Sequence, residues 1–286
     1  MPTESDSDRL FSPASLFWQV NREMLLGLAG MRALLMELAH PLIAAGVAGH
    51  SDFRKRPFKR LYRTMRLMSC ITFGSRNAAT RAVQRIGQCH SSVHGELWQP
   101  AGCHSLGSTY RANDPQLKLW VLATLIDSSL CVYELFVRPL SPVEKESYYQ
   151  DSRRMGVLLG IAAVRMPADY CGFAAYLQTM MSGGILAVSA PAREVAAALL
   201  AGPLRGRIVR ATSFVSIGLL PKDLRVAYGL PWNEASQKQM LRLAAICRRL
   251  RPRLPDVLCV NPQALLAEVC SAPKRAGEVI RRASPP

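Results

Sequence analysis

Apolar residues recur at three- and four-residue intervals along almost the whole chain, while alternating β-branched runs bounded by Asn-Gly turns are nearly absent. The pattern predicts about ten helices and no substantial sheet. The first helix spans residues 13–28, and a buried one follows at 31–38. Pro41 starts or kinks the next, which runs to Ala48. His50, Ser51 and Asp52 supply cap or turn signals before a helix opened by Pro57, which carries Phe58, Leu61, Met65 and Met68 on one face. A further helix covers 77–97, and a loop punctuated by Gly102 and Gly107 covers 99–115. Residues 117–137 are apolar nearly all round, which predicts a central helix. A polar-faced helix covers 141–159. The remainder, to Ile280, reads as shorter helices broken by Pro167, Pro191, Pro203, Pro221, Pro231, Pro252 and Pro262.

No internal repeat or low-complexity linker divides the 286 residues. The expectation is one all-α domain over 13–280, with a disordered tail at 1–12 and a frayed tail at 281–286. With 49% hydrophobic and 20% charged residues, a long disordered protein, a collagen-like repeat and a coiled-coil rod are excluded. Two stretches invite a test for membrane spans. Residues 24–47 are interrupted by Arg32, Glu37, His40 and Pro41, and residues 170–192 contain Gln178, Thr179, Ser182, Gly183, Gly184 and Pro191. Neither meets the need for about 20 predominantly apolar residues.

The formal charge is +16, and only seven of the 36 cations are lysine. Arginine suits fixed contacts with carboxylates and phosphates. A basic solvated surface explains this as well as an anionic cofactor or membrane surface does. Zinc-finger spacing, aromatic RNA-binding signatures and basic zipper heptads are missing, so no nucleic-acid partner is expected. The N-terminus MPTESDSDRL lacks the apolar core of a signal peptide, and the eight cysteines form no C-x-x-C pair. Reduced thiols and a cytoplasmic location are expected.

All five histidines fall before residue 105. On a helix, His90 and His94 share a face, and Val83, Ile86, Val93 and Leu97 place His90 on an apolar stripe. Three readings stand open. A core histidine needs only a hydrogen-bond partner. A haem ligand needs a neutral imidazole, apolar walls and cations for the propionates, and Gly87 leaves room for a flat ring. A zinc site would draw on Cys89, His90, His94, Cys103 and His104, although their spacing matches no standard module. Upstream, Arg60 and Thr64 share a helical face with Arg63 beside them. They form either a solvated basic face or a set of donors for an anion or bound oxygen. His40 precedes Pro41 in an apolar stretch and is expected to be buried and hydrogen-bonded.

The run MRALLMELAHPLIAAGVAGHSDFRKRPFKRLYRTM resembles the signature of the MpaB-type oxygenase family, which includes the rubber oxygenase (latex-clearing protein) catalytic domain. IGQCHSSVHG, YRANDPQLKLWVLATLIDSSL, YELFVRPLS and LLPKDLRVAYGLPWNEASQKQMLRLA follow in the family's order, so the resemblance covers Phe17 to Leu254. It implies a helical fold with a globin-like core around haem b, and dioxygen-dependent cleavage of carbon–carbon double bonds in isoprenoid chains. The family's H-x-x-V-R-G motif falls on His90-Ser91-Ser92-Val93-His94-Gly95, which makes His90 the axial iron ligand and puts His94 where relatives have arginine. The R-x-x-K-T run of the rubber oxygenases falls on Arg60, Arg63 and Thr64. Arginine in place of lysine is not expected to ligate iron, which implies an open or water-bound distal position. His40 joins His90, Arg63 and His94 as an expected cofactor contact, with Arg60 and Thr64 as catalytic donors to dioxygen. Many relatives read W-V-H-A-T-L, whereas this chain has Leu122 in place of the histidine.

The leading expectation is therefore a haem b-dependent oxygenase acting on an apolar isoprenoid-like or lipid-like molecule. The rivals are a non-catalytic haem-binding or scaffold protein of the same fold, and a non-haem metal protein. The basic stretch at residues 248–253 suits a solvated helix end or peripheral contact with anionic lipid.

Overall fold

The helices begin where the sequence supplies an oxygen to cap them. Ser15 caps α1 (Leu16–Asn21) by accepting from the Trp18 amide at 3.2 Å. Asp114 caps α6 (Pro115–Phe136) by accepting from the Gln116 amide at 2.7 Å, with Pro115 preset in the first turn. Ser141 and Glu144 form a reciprocal capping box at the head of α7 (Pro142–Leu158). A computed structural model describes residues 8–50, 57–200 and 207–271 of the chain.

The other elements are α2 (Gly27–Leu38), α3 (Pro41–His50), α4 (Pro57–Phe73), α5 (Arg76–Ser91), strands β1 (His94–Glu96) and β2 (Thr109–Arg111), α8 (Tyr170–Ser182), α9 (Ala190–Leu200), α10 (Arg207–Leu219), α11 (Lys222–Ala227), α12 (Glu234–Leu250), α13 (Asp256–Cys259) and α14 (Pro262–Ser271). The all-α, single-domain class expected from the periodicity is the one observed. Its centre is the pairing of α2 with α6, flanked by α4–α5, α7 and α10. Trp120 of α6 is fully buried and donates its indole N–H to the Met36 carbonyl of α2 at 3.2 Å. Trp18 is equally buried and donates to Glu268 at 2.6 Å, tying α1 to α14.

Several expectations are corrected. The helix predicted over 13–28 breaks at Glu23, which is extended, bridges Val260 and accepts two hydrogen bonds from Arg251. A distant segment thus overrides local helix periodicity. The helix predicted over 77–97 stops at Ser91, and a hairpin follows in which Gly95 lies opposite Tyr110. A side chain at Gly95 would put Cβ 2.7 Å from the Tyr110 hydroxyl, so glycine permits this close pairing. The second strand falls inside the predicted loop 99–115. Residues 8–12, assigned to a disordered tail, join the core. Phe11 is 1% exposed with its ring 4.4 Å from Phe17, and Arg9 bridges Ser75. The caps read at Ser51 and Asp52, the face position of Phe58, the break at Pro203, the helix end at Ile280 and the 281–286 tail lie outside the described residues.

Helix α6 is long and apolar enough to cross a membrane, but more than half of it is buried within the fold. Residues 24–50 pass the same test only as a pair of helices bent by 108° at His40–Pro41.

Candidate functional site

Helix α2 carries two ionisable side chains into the α2–α6 seam. Arg32 is satisfied on every side: it pairs with Asp127 at 2.7 Å and donates to Ser128 Oγ at 2.6 Å and to the Leu219 carbonyl at 2.8 Å. Its role is to pin α2 to α6 and α10. Glu37, five residues on, accepts from the Thr124 hydroxyl at 3.4 Å and lies in the field of Arg60. Burial pushes its carboxyl up to about 7, against the pull of the Arg60 charge and the Thr124 hydrogen bond. Glu37 was not singled out from the sequence. The available signal was a lone carboxylate inside the apolar run MRALLMELAHPLIAAG.

His90 lies in the last turn of α5, and its Nδ1 is buried without a hydrogen-bond partner among the described residues. Burial lowers the affinity of the ring for a proton, and the Lys118 and Arg60 charges lower it further. It is therefore a neutral imidazole near pH 7. Gly87, one turn earlier, is exposed to solvent, so the room expected there for a flat ring is the open outer face of α5. Arg60 of α4 is half-buried, and its field acts on both Glu37 and His90, so α2, α4, α5 and α6 contribute to one electrostatic neighbourhood. Arg63 and Thr64 are exposed.

His40 is buried as expected, but its Nδ1 has no hydrogen-bond partner among the described residues, which corrects the expectation of a bonded ring. Its neighbour is His104, held by the Ala101–His104 bridge, with ring centroids 5.4 Å apart. Burial drives His40 down to about 4, the His104 ring adds to this, and Asp114 opposes it. His104 Nε2 is likewise buried and unpartnered.

His94 does not share a helical face with His90. It stands exposed on β1, and its carbonyl accepts from the His50 ring at 3.0 Å. The five-residue zinc set is not assembled, and no group of three or more His, Cys, Asp or Glu among the described residues is placed to hold a metal ion. The helix ends before His94, and the ring of His104 turns to His40.

Leu122 lies on the flank of α6 away from Trp120, Thr124 and Ser128, two residues from the first of these. It packs against Gly156, where a Cβ would come within 2.8 Å of it. It lines an apolar cavity of about 10 Å³ with Ala123, Tyr149, Met166 and Phe173. A second cavity of about 10 Å³ lies between Pro41, Leu97, Trp98 and Pro191. His90, Arg60 and Glu37 line neither.

Residues 18–251 match the family described as "ER-bound oxygenase mpaB/B'/Rubber oxygenase, catalytic domain". Two similar proteins are "Uncharacterized protein Mb2261" of Mycobacterium bovis and "Uncharacterized protein Rv2237" of Mycobacterium tuberculosis. Each is 28% identical over 224 residues, which is 75% of this chain and 84% of the relative. No solved structure gives a significant match.

Proposed function

The chain belongs to the MpaB and rubber oxygenase catalytic-domain family, and from that premise we propose a haem b-dependent oxygenase that acts with dioxygen on an apolar, isoprenoid-like or lipid-like substrate. The observation that carries the reading is His90, a neutral imidazole whose buried ring nitrogen has no hydrogen-bond partner among the described residues. A buried polar atom without a partner costs about 1–3 kcal/mol, and a ligand or its second shell would relieve that cost. This donor fits an iron-porphyrin, and Arg60 and Lys118, whose fields already reach His90, supply the cations its carboxylates require. The globin-like core implied by the family would lie between α2, α4, α5 and α6.

Haem iron, when bound, supplies the activation of dioxygen, and the protein supplies orientation, electrostatics and exclusion of water. His90 would hold the iron and, being neutral, would need no deprotonation to do so. Arg60 would offer guanidinium hydrogen-bond donors within this neighbourhood, with Thr64 one turn further along α4 at the exposed edge of the site. Glu37, with a carboxyl poised near neutrality, can give or accept a proton at its Oε atoms. Its partner Thr124 and the Arg60 charge hold it in the seam. The apolar surfaces of α2 and α6 suit a hydrocarbon substrate.

The test is the absorption spectrum of protein expressed with ample haem. The expected result is a Soret band at about one haem per chain, lost in His90→Ala. Stoichiometric haem with an unchanged spectrum in His90→Ala would sink the ligand assignment. A second reading, haem binding without turnover, rests on Leu122, which fills with hydrocarbon the place of a family histidine. Carbonyl products from a polyisoprenoid under oxygen would exclude it.

A further inference from the structure

The basic stretch at residues 248–253 divides into two arginines tied to other segments and two that face solvent. Arg248 donates to the Glu134 carbonyl at 2.5 Å. Arg251 binds Glu23 through two nitrogens at 2.7 and 2.8 Å and reaches Asp256 at 3.2 Å. Arg22 takes the remaining carboxylate capacity at this end, pairing with Asp256 at 2.8 Å and Glu268 at 3.3 Å. The local acids are thereby neutralised from within. Arg249 and Arg253 are exposed, and none of the described carboxylates ion-pairs with them. Lys238 and Arg242 stand four residues apart on α12, and Arg249 lies seven beyond Arg242, so all three share its outer face.

Leu250, Leu254, Val257 and Leu258 stand beside these cations, 48%, 41%, 67% and 62% exposed. Met24, next to the Glu23–Val260 bridge, is 53% exposed at the same end of the molecule. A solvated helix end needs the arginines but gains nothing from large aliphatic side chains held in water. Cations set beside exposed aliphatics, with Glu23, Asp256 and Glu268 already paired and Glu234 at the far end of α12, match an anionic lipid interface, where headgroups meet the guanidinium groups and the leucines enter the acyl boundary.

We propose that the face formed by the outer side of α12, the turn at Arg253–Leu254 and α13 docks on an anionic lipid surface. The surface stands apart from the haem assignment, and neither depends on the other.

The experiment is vesicle flotation of the full chain. The vesicles are phosphatidylcholine alone or with about a third phosphatidylserine, at about 0.05 and 0.5 M salt. Binding to the anionic vesicles at low salt is expected, with R249E/R253E weakening it by roughly tenfold or more. V257D/L258D is expected to weaken it at both salt levels, because it removes the apolar part. R81E/R85E, the same charge change on the exposed residues of α5, serves as the control and is expected to weaken it less than about threefold. Circular dichroism confirms that each variant is folded. Lack of partitioning at low salt overturns the proposal. So does an equal loss from both charge pairs, which indicates diffuse attraction of a basic protein. Unchanged binding of V257D/L258D shows the apolar residues covered by something else. A mass change by sedimentation that tracks V257D/L258D identifies a second copy as the occupant.

Discussion

Arg32 and Glu37 lie five residues apart on one helix, both drawn into the same seam, yet their surroundings are opposites. Around Arg32 each donor has an acceptor: a carboxylate, a hydroxyl and a carbonyl from two other elements. Around His90 the accounting does not close, and at Glu37 burial works against the charge. The Glu37 carboxyl is pushed toward neutrality by burial against the Arg60 field and the Thr124 hydrogen bond, and the His90 Nδ1 is buried without a hydrogen-bond partner among the described residues. A satisfied buried network rigidifies a fold, whereas unsatisfied groups keep capacity for a proton or a ligand. The contrast separates a structural clamp from the proposed reactive centre within about one and a half helical turns.

The largest effect is expected at the clamp. Arg32→Ala strands Asp127 and empties space between α2, α6 and α10, and should cost about 3–5 kcal/mol of stability, read from the denaturant midpoint. A loss below about 1 kcal/mol would erase the distinction between the two regions.

Two pH effects of intermediate size sharpen it. Glu37 has a raised folded-state pKa, so the folded chain holds an extra proton between about 4.5 and about 7, and stability falls as pH rises through that window. His40 has a lowered pKa, so the unfolded chain takes the extra proton between about 6.5 and about 4, and stability falls as pH drops through it. The slopes oppose each other. Glu37→Gln should leave stability rising with pH between 5 and 6.5, by on the order of 2 kcal/mol, and His40→Gln should leave the reverse. Part of Glu37 still meets solvent, which keeps its share below the full burial penalty. Parallel pH profiles for both variants and the parent would refute the assigned directions.

The smallest expected effect is at His90. His90→Ala removes a ring whose Nδ1 makes no hydrogen bond, so chemical denaturation of the cofactor-free protein should shift by less than about 1 kcal/mol. A loss as large as that of Arg32→Ala would make His90 another clamp.

Periodicity and caps made most helices legible. Ser141 with Glu144, and Asp114 before Pro115, specify helix starts through contacts between near neighbours. The site was less legible. His90 stood out as a histidine on an apolar stripe, and Arg60 as part of a basic run. Glu37 read only as an interruption of a hydrophobic segment, because its altered proton affinity arises from burial by α6 and from the Arg60 field. His94 looked equivalent to His90 until the helix ended between them.

The sequence by itself determined the helical class, the family membership, the neutral core of α6 and the residue types available for chemistry, since these depend on spacing and composition along the chain. Only the tertiary structure decided which polar groups find partners. It set Glu23 against Arg251, ended α5 at Ser91 against Tyr110, tied Arg248 and Arg251 to partners while Arg249 and Arg253 face out, raised the proton affinity of Glu37 and left the His90 Nδ1 without a partner among the described residues. The physical reason is that the cost of burial and the strength of a field depend on distance through space, and residues far apart in sequence supply both.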